Sequence, residues 1–166
     1  MSAGLLVLLF GTLVGAAIDV RTRRIPNALT ATLALAALGL HLFDGVPAAL
    51  LALAVMLVAF ALGSLAFSLG WLGGGDVKLI AAACGLTSFP GCFSLVAFIL
   101  IAGGVIAIAQ AARSGRLPAL VRDVSAIVVT RAVPQAPTLV PYGVAIAAGS
   151  AAYALASVFF STGLVA

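Results

Sequence analysis

The feature that most constrains this chain is where its eight basic residues fall. Arg21, Arg23 and Arg24 follow a first apolar run, Lys78 lies in the break after a third, and Arg113, Arg116, Arg122 and Arg131 follow a fifth; together these are every lysine and arginine present. The intervening runs are apolar and of the length a helix needs to cross a hydrocarbon core, and they show no sustained two-residue alternation of the kind a membrane β-barrel requires. Loops on the cytoplasmic side of a membrane carry an excess of Lys and Arg. The pattern therefore predicts an all-α, polytopic membrane protein of six transmembrane helices with both termini outside. The spans are expected at about residues 2–19, 27–43, 47–71, 77–89, 93–112 and 139–164 of a single domain covering 1–166. The first is expected to be an uncleaved helix, because its positive charges follow the apolar core, whereas a signal peptide carries them in front.

Composition agrees. Only 7% of the residues are charged and 64% are hydrophobic, whereas a soluble domain carries roughly 25% charged residues. The net charge of +4 is used up by topology, and no basic run interleaved with aromatics suggests a nucleic-acid partner. Cys84 and Cys92 form no CxxC pair and His41 is remote from both, so neither a metal nor a cofactor is expected; the cysteines are read as structural and His41 as interfacial. The fifth break, residues 113–138, places Leu117, Leu120, Val121, Val124, Ile127 and Val128 at helical spacing, which fits either an amphipathic helix lying on the cytoplasmic leaflet or a looser loop.

Against this background the four acidic residues stand out. Asp44 and Asp123 fall in polar loops and are read as solvated. Asp19 closes the first apolar run and Asp76 opens the fourth, directly after Gly73, Gly74 and Gly75. Carboxylates at such positions are costly and mark functional sites by default. The topology brings both to the cytoplasmic side at similar depth, the geometry of a pair that shares a proton, one member acting as acid and the other as base on a water. The helix dipole favours the anionic form of Asp76 at a helix start and disfavours it for Asp19 at a helix end, so Asp19 is expected to be the protonated partner more often. The glycines are expected to permit unusual dihedrals and close approach of a substrate strand. The fourth span, at 13 residues or about 20 Å, is expected to leave Asp76 below the inner surface in a wet pocket.

At these residues the chain resembles the type IV prepilin peptidases, members of the GxGD class of membrane aspartic proteases that includes presenilin and the archaellin peptidases. Asp19 followed by Arg24-Ile25-Pro26-Asn27 is similar to the family's first catalytic segment, and Gly73-x-Gly75-Asp76-x-Lys78-Leu79 to its second. The resemblance implies a membrane aspartic endopeptidase of the bacterial inner membrane that cleaves the basic leader of pilin or pseudopilin precursors at the cytoplasmic face, with Asp19 and Asp76 as the catalytic pair. It covers the short, peptidase-only form associated with Flp/Tad-type pili, since the paired CxxC motifs of the larger bifunctional members, and the N-methyl transfer that goes with them, have no counterpart in this sequence. Gly73, Gly74, Gly75 and Lys78 are candidate substrate-positioning residues, Lys78 equally a topology-setting charge. Pro141-Tyr142-Gly143 is loosely similar to presenilin's substrate-holding Pro-Ala-Leu segment, and equally fits a helix-start proline with an interfacial tyrosine. A rival from another class is a small proton- or cation-coupled transporter using the same two aspartates.

Overall fold

The computed structural model describes residues 2–115 and 142–163, with side chains to residue 160. Five helices form among them: α1 (Ala3–Thr22), α2 (Asn27–Phe43), α3 (Val46–Ser68), α4 (Gly74–Arg113) and α5 (Tyr142–Gly163). Four of these, all but the 17-residue α2, are long and apolar enough to cross a membrane. Pro141 and the stretch expected to hold an amphipathic helix, from residue 116 on, lie outside the described residues.

The expected fourth and fifth spans are the two arms of α4. Its helical course fails at Ser88 (φ 51°, ψ −165°) and Phe89 (φ −92°, ψ 139°), just before Pro90, and the Phe89–Pro90 bond is cis. Proline crowds the residue before it out of the helical region, which accounts for Phe89; the break begins one residue earlier still, at Ser88. Ser88 takes a conformation ordinarily left to glycine. The arms then run back along each other. Gly91 faces the Tyr153 hydroxyl, Gly149 lies against the backbone of Ile99, and Gly103 faces Ala145, so the second arm is antiparallel to α5 as far as the end where the first arm started.

Small residues let these helices approach closely, as membrane helices generally require. On α1, Leu8, Gly11, Thr12, Gly15, Ala16 and Asp19 are buried, a stripe at helical spacing whose glycines receive Leu33 of α2 and Leu79 of α4. On α3, Gly63 receives Val77, and on α4 Gly85 receives Met56. Leu8, Leu79, Leu95 and Ile146, from α1, both arms of α4 and α5, are wholly buried at the centre. The chain thus alternates direction, and one end of the bundle gathers the C-terminus of α1 and the N-termini of α2, α4 and α5. The opposite end carries the His41 Nε2 to Gly85 carbonyl contact of 3.1 Å, with His41 half-buried and Asp44 exposed beside it.

Candidate active site

The α1 stripe ends in Asp19. Its place on the inward face follows from spacing alone, since position 19 repeats positions 8, 12 and 15 around the helix. Asp19 is only 7% exposed, whereas Arg21, Arg23 and Arg24, just beyond it, are exposed. The helix stops because Arg23 turns left-handed (φ 51°) and donates its backbone N–H to the Asp19 carbonyl. Thr22 Oγ1 bonds the Arg24 carbonyl at 3.0 Å, and the chain then enters α2 through Ile25 and Pro26.

Asp76 is set by different means. After α3 ends at Ser68, the turn is made at Leu69 and Gly70, where φ is +76°. Helix α4 opens at Gly74, not at Val77 as expected, with Gly73 as its N-cap. Asp76 occupies the third helical position, where its Oδ2 accepts the Gly73 N–H at 3.3 Å, satisfying a donor the helix cannot satisfy itself. The triple glycine is therefore no loop, and none of the three has positive φ. What the glycines supply is closeness. A Cβ on Gly73 would lie 2.7 Å from Asp76 Oδ2, and one on Gly75 3.1 Å from Ile25 Cβ, whereas one on Gly74 would meet nothing nearer than Phe67 at 3.7 Å.

These contacts clasp the two segments together. Ile25 is buried against Gly75, and Lys78 Nζ donates to Asn27 Oδ1 at 2.8 Å. Lys78 thus points to the start of α2. The third contributor is α5: the Gly143 N–H donates to Asp19 Oδ2 at 3.0 Å across 124 residues of sequence, and a Cβ at Gly143 would press on Asp19 and on the backbone of Ala16. Tyr142 and Asp19 both lie within electrostatic reach of Asp76. Two carboxylates, each with one oxygen held by a backbone N–H, therefore lie at the same end of the bundle, each influencing the other's charge.

Of the residues singled out from the sequence, Asp19, Asp76, Gly73, Gly75, Tyr142 and Gly143 meet at this end of the bundle, with Lys78 and Gly74 on its rim. Asn27 and Ile25 had no assigned role in the sequence, though both stand in the first motif. Among the described residues no three His, Cys or acidic side chains gather as a metal site.

No curated protein and no solved structure matches the chain. A family model does: that of the type IV leader peptidase family matches residues 6–108, more than half of the sequence, and the matched stretch contains both aspartates and both segments of the clasp. With its long apolar helices, the chain is a multi-pass membrane protein, and it belongs to the type IV leader peptidase family.

Proposed function

We propose that this protein is an aspartic endopeptidase that removes the leader of pilin-like precursors, with Asp19 and Asp76 as its acid and base. The observation that carries the reading is that two acidic groups, 57 positions apart in sequence, come within electrostatic reach of each other at one end of the bundle, each tethered by a backbone N–H and not by a basic side chain. Neither aspartate spends its charge on an arginine or a lysine among the described residues, and each keeps its second oxygen for a substrate or water. In the reaction, one carboxylate takes a proton from the water as its oxygen attacks the scissile carbonyl carbon, while the other gives its proton to the carbonyl oxygen. The tetrahedral intermediate then collapses: the C–N bond breaks, the departing nitrogen collects the proton taken from water, and a hydroxyl of the intermediate returns its proton to the other carboxylate, which restores the pair.

The same reading makes the molecule one six-span domain of the bacterial inner membrane. Both arms of α4 cross, both termini lie outside, and the aspartates sit at the cytoplasmic side, as the placement of all eight basic residues supports. Its substrate is a precursor with a transmembrane helix and a basic leader, as for the short Flp/Tad-type enzymes.

The test is to reconstitute the protein in liposomes with a pilin precursor and to identify products by mass spectrometry. A single new N-terminus at the leader junction is the expected result. No cleavage, together with a proton or cation flux abolished by Asp76→Asn, would replace this reading with that of a transporter.

A further inference from the structure

Helix α5 meets both aspartates with consecutive residues. The Gly143 N–H bonds Asp19 Oδ2 at 3.0 Å, and Tyr142, one residue earlier, carries a phenol within reach of the Asp76 charge. The phenol does not tether Asp76, whose hydrogen bond comes from the Gly73 N–H. Tyr142 is half-buried, and it lines a cavity between α3 and the two arms of α4 together with Val77, the residue next to Asp76. Among the described residues of that lining, Tyr142 supplies the only hydroxyl. Packing against an apolar wall asks only for a ring, which phenylalanine would provide. A phenolic O–H set in such surroundings is costly unless it bonds to something, and this one stands at the aspartate end.

We propose that Tyr142 is a third catalytic residue, whose hydroxyl donates a hydrogen bond to the scissile carbonyl oxygen as the water adds; the assignment rests on the aspartic endopeptidase reading above. That oxygen has two lone pairs. One receives the carboxyl proton, and the other takes the phenol as charge builds on the oxygen. The Tyr142 proton is not transferred, so acid and base remain the two aspartates. Lys78, two residues after Asp76, is turned to Asn27, and the Gly73 and Gly143 N–H groups already hold the carboxylates. A fixed donor aimed at the place where charge develops acts most strongly in the transition state. Because Tyr142 and Gly143 are consecutive, the start of α5 sets this donor and Asp19 in one register.

Tyr142→Phe is the test, since it keeps the ring against the wall and removes only the hydroxyl. In detergent solution with full-length precursor, kcat is expected to fall about a hundredfold with KM changed less than about twofold. The pH dependence of the remaining cleavage is expected to keep the parent's shape, because the aspartates still titrate as a pair; a phenol that merely tuned Asp76 would displace it. Tyr153→Phe is the matched control. It removes the only other tyrosine hydroxyl in the chain, the one that faces Gly91, and is expected to alter neither constant. A kcat within about threefold of the parent in Tyr142→Phe, a change confined to KM, or a displaced pH profile overturns the assignment and leaves the peptidase reading in place. So does failure of Tyr142→Phe to insert, which would make the hydroxyl a structural group. A parent protein that forms no junction product overturns both.

Discussion

At the scale of the residue, the pattern glycine, any residue, glycine, aspartate has a steric meaning here. Gly73 leaves room for the carboxylate that caps it and Gly75 for Ile25, while a Cβ on Gly74 would make only an ordinary van der Waals contact with Phe67. Gly73→Ala displaces the Asp76 side chain itself, and Gly75→Ala pushes the α1–α2 turn away from α4. Gly74→Ala removes only backbone freedom, a change that stabilises a helical position by about 0.4–1 kcal/mol when the conformation suits alanine. The expected outcome of an alanine scan over the three is therefore loss of precursor cleavage at positions 73 and 75 and retention at 74, read by mobility shift in membranes with equal amounts of protein. Gly143→Ala belongs with the first two. Its Cβ would stand 2.9 Å from Asp19 Cβ and 3.2 Å from Ala16 Cα, and since the α1 backbone has no room to retreat, Asp19 or α5 must shift. Cleavage is expected to fall roughly tenfold or more, the scale on which a misplacement of about an ångström acts.

At the scale of the element, the site depends on how two segments are held. Asn27 at the start of α2 and Lys78 in the first turns of α4 are both exposed, and their bond of 2.8 Å joins the motif that follows Asp19 to the one that contains Asp76. If the pair acts as a clasp, Lys78→Met and Asn27→Leu each slow cleavage by a few-fold, and the double variant is no slower than the worse single one, since members of one interacting pair are not additive. Multiplying effects in that cycle would mean that the two side chains act separately. Much of this level was legible in the sequence. The basic residues announced the breaks between helices, and the place of Asp19 at the end of an apolar run marked it as functional. The break in α4 was visible as Pro90-Gly91, and proline acts backwards on Phe89, but the first non-helical residue, Ser88, carries no such signal. The triple glycine stands ahead of the apolar run expected as the fourth span, yet it supplies the N-cap and the start of the first helical turn; the true turn residue is Gly70, set back in an apolar stretch. The Gly143–Asp19 and Asn27–Lys78 bonds were not legible, since a contact across 124 or 51 residues leaves no periodic trace in one sequence.

At the scale of the whole molecule, the proposed reading puts the aspartate end on the cytoplasmic side, the side that the positive-inside rule assigns to the breaks carrying the basic residues. In a Cys84→Ser/Cys92→Ser background, Asp44→Cys is expected to react with a membrane-impermeant maleimide in cells with a permeabilised outer membrane, and Ser114→Cys only after the inner membrane is opened; the reverse order would invert the protein. The central claim is that folding of the entire bundle makes one reactive unit of Asp19 and Asp76. It is tested most directly by the cleavage rates of the parent, Asp19→Asn, Asp76→Asn and the double variant on one precursor, with membrane insertion monitored in each. Groups that act as a unit fail together, so each single variant is expected to lose at least about a thousandfold and the double to lose no more than either. Appreciable cleavage by either single variant, or losses that multiply in the double, would contradict the pairing.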